Sequence, residues 1–170
     1  KASIKTPILS QLSSVYREQK QPMKQRDMLK KLVLEDPSNS EFRFELGMVL
    51  KRIGAYSDAL DQFEELKKLG RLDDTAVMAY VDTLVQVGQL DKAQKEALRY
   101  EASHPQSAAA KTLLGEIAVQ QNDLKKAGEY LTASLAIDQR KNSKTHFLYG
   151  KVLHQQNELD KSVKHLQNAV

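Results

Sequence analysis

The chain has 170 residues, 41% hydrophobic and 28% charged, and 26 basic against 22 acidic side chains leave a formal charge of +4. That length supports one ordinary domain with a sizeable core, and so small a positive surplus does not by itself indicate a nucleic-acid or membrane partner. The absence of cysteine removes disulfides, thiolate chemistry and cysteine-based zinc sites, and leaves an oxidising compartment and the cytosol both open.

The chain begins at Lys1 without a signal-peptide apolar stretch, and reads as a mature or excised segment of a longer protein. No apolar run approaches the roughly 18 residues of a membrane-spanning helix, so membrane insertion by this segment is not expected. The first block, residues 6–39, opens on Thr6 as an N-cap with Pro7 in the first turn. Ser10, Gln11, Ser13, Ser14 and Glu18 interrupt its apolar residues, a polarity expected of a capping unit. Pro22 lies in the break before its second helix, and Pro37 follows that helix. The second block, 40–73, is introduced by Ser38 and Glu41 at capping-box spacing. Its two helical runs carry Leu46-Gly47 and Ala59-x3-Phe63, divided at Gly54, a residue suited to a left-handed C-cap.

The third block, 74–107, has Tyr80-Val81, then Gly88, then Ala93-x3-Ala97, and Pro105 follows. The fourth, 108–141, sets Leu113, Leu114, Ile117 and Ala118 on one helix and Leu124, Ala127, Leu131 and Leu135 on the next, with Asn122 between them. A one-residue insertion at Asn142 precedes the fifth block, 143–170, with Tyr149-Gly150, Asn157 and Ser162-x3-Leu166. Its last helix carries Val163, Leu166 and Val170 with no helix after it; either the array was cut there or something else covers that end. Gly54, Gly88, Asn122 and Asn157 are thus 34, 34 and 35 residues apart. A repeat near 34 in a helical chain means an all-α solenoid of stacked helix pairs, here about ten helices of three turns in one repeat domain over 1–170.

Leu-Gly in the first helix of a pair, Ala-x3-Phe (or Ala-x3-Leu) in the second and a proline after it resemble the tetratricopeptide repeat family. Four blocks share that register, and the resemblance covers about residues 6–170. It implies a right-handed α-solenoid of about five helix-turn-helix repeats, acting as a non-catalytic scaffold that binds a peptide or partner helix in a concave groove.

No Gly-rich phosphate loop, nucleophile elbow or metalloprotease helix motif is present, and Glu64-Glu65 and Asp73-Asp74 read as solvated charge. No catalytic residue, cofactor or enzymatic role is therefore assigned. His104, His146, His154 and His165 lack the i, i+3 or i+4 spacing of helical metal ligands, so no metal site is expected. Basic clusters such as Lys30-Lys31, Lys67-Lys68, Lys125-Lys126 and Arg140-Lys141 fall mostly on second helices beside acids, and no nucleic-acid partner is expected.

In the family that this chain resembles, first helices line the concave surface. The resemblance places Phe44, Met48, Lys51 and Arg52 of the second block in that groove, with Met78, Asp82 and Val85 of the third. Thr112, Glu116 and Val119 follow from the fourth block, and Phe147, Lys151 and His154 from the fifth. Phe44, Met48, Met78 and Phe147 would supply apolar contact, Asp82 and Glu116 an acidic centre, and the lysines basic flanks. The residues with which some members of the family clamp a terminal carboxylate are absent: Phe44, Met48, Ala79, Ala109 and Leu113 stand in their places. The expected partner is a protein or peptide, in a bacterial secretion, pilus or envelope assembly, with periplasm and cytoplasm both open and a lean to the cell envelope. Self-association through the C-terminal end is the alternative, and an accessory domain of a larger enzyme or nucleic-acid-linked regulator is another.

Overall fold

Two backbone devices, each repeated down the chain, cut it into helices in a computed structural model that describes residues 5–138 and 142–170. Ten helices and no strand occur among those residues. They are α1 (Lys5–Glu18), α2 (Pro22–Glu35), α3 (Ser40–Arg52), α4 (Tyr56–Lys68), α5 (Asp74–Gln86), α6 (Leu90–Ser103), α7 (Ala108–Gln120), α8 (Leu124–Ile137), α9 (Ser143–Gln155) and α10 (Leu159–Asn168). Arg140 and Lys141 lie outside the described residues.

The first device ends the first helix of each pair. Lys20, Gly54, Gly88, Asn122 and Asn157 all have positive φ, from 54° to 78°. In four of these turns the next N–H donates to the carbonyl five residues back: Gln21 to Tyr16, Ala55 to Leu50, Asp123 to Ala118 and Glu158 to Leu153, each at 2.9 Å. Such a closure satisfies carbonyls that the helix end leaves open. Lys20 is a fifth member of the cadence, one period before Gly54, and holds a long side chain where glycine or asparagine is favoured.

The second device starts the next first helix. The side chains of Asn39, Asp73, Ser107 and Asn142 accept from the N–H groups of Phe42, Ala76, Ala110 and Thr145 at 2.8–3.2 Å. The capping-box reading of Ser38 and Glu41 is therefore corrected. Asn39 is the cap, and the Ser38 hydroxyl donates instead to Asp36 at 2.7 Å. Thr6 is not a cap either: α1 already includes Lys5, and the Thr6 hydroxyl donates to Glu35 at 3.1 Å.

The chain resolves into two compact units, Lys1–Val87 and Gly88–Val170, with the boundary at the Gly88 turn. In the first unit α1 pairs with α2 and α3 with α4, while α2 packs on α3, α4 on α5, and α3 touches α5. In the second, α7 pairs with α8 and α9 with α10, α6 packs on α7, α8 on α9, and α7 touches α9. Three pairs close through a glycine opposite a large side chain. A Cβ on Gly47 would lie 2.9 Å from the Phe63 ring, one on Gly115 2.6 Å from Leu131, and one on Gly150 2.8 Å from Leu166. Ala59, Phe63, Ala127 and Leu131 are fully buried at these seams. Ser13 holds the register of Gly47 one period earlier and is buried.

The first helix is not a polar cap. Ile8, Leu12 and Val15 are exposed on one stripe of α1. They hold the register of Phe42, Leu46 and Val49 in α3, of which Leu46 and Val49 are buried. Gln11 and Glu18 border that stripe and are exposed, Ser10 and Ser14 are half-buried, and Ser13 is in the core. In α10, Leu166 is half-buried against Gly150 and Val163 is exposed.

Candidate binding faces on the first helices

α3 and α5 stand side by side in the first unit, because each follows a second helix with the same short connector and cap. Met48 projects from α3 and is 39% exposed. Phe44 and Met78 are half-buried. The Phe44 ring lies 6.4 Å from that of Phe63, tilted by 56°, so much of its apolar surface serves the α3–α4 seam. Val85 is not a surface residue. α5 buries Ala76, Ala79, Tyr80, Val81, Thr83, Leu84 and Val85, an arc wide enough that little of this apolar helix faces water.

The charges expected to face a ligand face each other instead. Lys51 on α3 and Asp82 on α5 form an ion pair at 2.6 Å, with both side chains largely covered. Arg52 donates to Oε1 of buried Gln25 at 2.7 Å, tying α3 to α2.

The second unit repeats the arrangement with the signs exchanged. Glu116 on α7 pairs with Lys144 on α9 at 2.7 Å. Phe147 is 50% exposed, with the Lys151 ammonium 5.6 Å from its ring centroid, a cation–π contact. His154 is exposed, and Val119 is half-buried against a cluster of Ala118, Ala127, Leu131, Leu148 and Val152.

Thr112 is corrected out of the face. It is buried, and its hydroxyl lies within hydrogen-bond distance of the Ala108 carbonyl (3.0 Å), Ser134 (2.9 Å) and Thr145 (2.7 Å). Ser134 donates to the same Ala108 carbonyl at 2.9 Å. These hydroxyls join α7, α8 and α9 through the core, where an unmatched polar atom would be costly. Both faces thus have one design: a cross-helix ion pair beside an exposed, adaptable or aromatic apolar side chain. Among the described residues, no group of three or more metal-ligating side chains is gathered. No helix there is long and apolar enough to cross a membrane.

Helix pairs closed by a small residue against a large one, repeated at 34 residues, define an all-α helix-pair repeat fold. The tetratricopeptide repeat family model matches residues 81–143. Solved structures extend the likeness over the chain. MamA (residues 41 to the end) from Desulfovibrio magneticus RS-1 superposes with a TM-score of 0.83 at 20% identity, covering 99% of this chain and 95% of that one. YrrB, described as a tetratricopeptide protein with an unusual peptide-binding site, gives 0.70 at 16% identity over 99% and 92%. Pseudomonas aeruginosa PilF gives 0.75 at 16% identity over 97% and 75%. At such identities the likeness establishes the fold. Comparison with curated protein sequences gives no match.

Proposed function

We propose that this chain is a non-catalytic protein-interaction scaffold whose first-helix faces hold an extended peptide or a partner helix. The observation that carries the reading is the pairing of Lys51 with Asp82 and of Glu116 with Lys144, which leaves Met48 and Phe147 as exposed anchors beside neutralised charge. A half-exposed Phe or Met loses little on its own, yet burying one against a partner contributes about 1.5–3 kcal/mol when complete. The ion pairs are already satisfied within the chain and gain little from a partner, so apolar anchors decide affinity and the pairs shape the face. Likeness to YrrB, with its peptide-binding site, supports this reading.

The groove set accordingly contracts to Phe44, Met48, Lys51, Arg52, Met78 and Asp82 in one unit and Glu116, Val119, Phe147, Lys151 and His154 in the other. We further propose one repeat domain over 1–170, within a bacterial secretion, pilus or envelope assembly; the bacterial origin of the structural neighbours supports that setting. Affinity capture with the wild-type chain and with Met48→Ser and Phe147→Ser tests the scaffold reading. Specific partners should be retained by the wild type and lost on at least one variant whose helicity is unchanged. An identical captured set from all three chains overturns it.

A second reading, self-association, is favoured by Val163, which is exposed on α10. Sedimentation from micromolar to sub-micromolar concentration decides it: a reversible dimer supports it and a monomer throughout removes it.

A further inference from the structure

The α9–α10 hairpin brings together two histidines that are 19 residues apart in sequence. His146 Nδ1 and His165 Nδ1 are 2.9 Å apart, with ring centroids at 5.1 Å and planes inclined by 32°. With the centroids so much farther apart than the nitrogens, the two Nδ1 atoms meet nearly head-on, each pointing at the other. The Tyr149 ring meets His165 edge-on at 4.7 Å, closing one side of the pair. Both imidazoles are partly buried.

A neutral imidazole carries one N–H and one lone pair. The 2.9 Å contact therefore requires one ring to donate from Nδ1 and the other to accept there. One added proton is tolerated, because the pair then holds an Nδ1–H donor and an Nδ1 acceptor with a single positive charge. A second added proton is not. Both Nδ1 atoms would then carry hydrogen and point at each other, with two like charges in a partly desolvated seam.

The surroundings act in the same direction. Burial, then His146, then the Lys164 ammonium hold the His165 imidazole below its ordinary range. The charges acting on His165 are thus both of the disfavouring sign, and Tyr149 contributes a neutral ring. Lys161, which lies within reach of Tyr149, is engaged by Glu158.

We propose that His146 and His165 form an acid-released latch between α9 and α10, closed while the pair holds at most one excess proton and opened by the second. A histidine whose folded-state affinity for protons is lowered takes up more of them when released, so stability is complete above the ordinary imidazole value and declines as pH falls below about 6.5. The latch needs no ligand and stands independently of the scaffold reading. Opening loosens the seam at which Leu166 packs on Gly150.

Amide hydrogen exchange across α10, corrected for intrinsic rates, tests it at pH 7.5 and pH 5 in the wild type, His146→Gln and His165→Gln. A glutamine at either site keeps a polar partner without taking up a proton. Wild-type protection of α10 relative to α7 and α8 should fall at pH 5, while both variants, with no imidazole pair left to take up a second proton, should lose less. A wild-type α10 with equal protection at both pH values, or variants with the same loss, overturns the latch. Imidazole NMR titration gives a readout that does not depend on the variants. Coupled, biphasic titration of the two rings is expected, and two independent curves near the ordinary value overturn the proposal.

Discussion

Replacing Gly115 by alanine should destabilise the chain even though alanine is the better helix former. The new Cβ would lie 2.6 Å and 2.7 Å from two carbon atoms of the Leu131 side chain. Leu131 is fully buried and cannot swing away without disturbing the Ala118, Ala127, Leu148 and Val152 cluster. Overpacking of this kind costs about 1–3 kcal/mol, against a backbone gain of about 0.5–1 kcal/mol for removing a mid-helix glycine. The net loss should be up to about 2.5 kcal/mol. For a chain of this size each kcal/mol lowers the thermal midpoint by about 2–4 °C. Gly128 on α8 supplies the internal control, because a Cβ there meets nothing within 4 Å. Gly128→Ala should therefore stabilise by about 0.5–1 kcal/mol.

Urea melts followed by circular dichroism would measure both, with Leu131→Ala added to complete a cycle. Leu131→Ala alone should cost about 2–5 kcal/mol. In the Gly115→Ala background it should cost at least about 1 kcal/mol less, because the clash is relieved. Equal stability shifts for Gly115→Ala and Gly128→Ala, or a cycle without coupling, would refute overpacking at the Leu131 seam.

Three further substitutions probe the devices that shape the repeat. Lys20→Gly should stabilise by about 1 kcal/mol, since φ is 54° there; a lower urea midpoint would contradict the strain argument. Asn142→Ala removes the side-chain acceptor of the Thr145 N–H and should cost about 1 kcal/mol, with faster amide exchange confined to the first turn of α9. Thr145→Val keeps shape but removes one hydroxyl from the Thr112–Ser134–Thr145 cluster, and should cost about 1 kcal/mol; an unchanged chevron would refute a structural role for that contact.

What could be read from the sequence was whatever local chemistry enforces. Gly54, Gly88, Asn122 and Asn157 stand out because few residues accept a left-handed turn, and the Gly47, Gly115 and Gly150 seams show because a large residue recurs opposite a small one. Lys20 escaped that pattern: the turn forms there without the residue that usually permits it. The cap cadence Asn39, Asp73, Ser107 and Asn142 was present in the letters but masked by Ser38, an equally good capping type one position away. The faces were only partly legible. Positions by repeat register located Met48 and Phe147, yet could not say that Lys51 finds Asp82 or that Glu116 finds Lys144. Those pairings depend on the side-by-side register of helices some thirty residues apart. Val85 and Thr112 failed for the same reason, since how wide an arc a helix buries is decided by its neighbours. His146 and His165 share no helix, so no single-helix spacing could pair them.

A partner held by this chain should lie along its first helices. Hydrogen-exchange footprinting of the chain with a captured partner at saturation tests it most directly. Protection is predicted on α3 and α5 around Met48, on α7 and α9 around Phe147, or on both faces. Protection confined to the second helices α2, α4, α8 or α10, with the first helices unchanged, would contradict it.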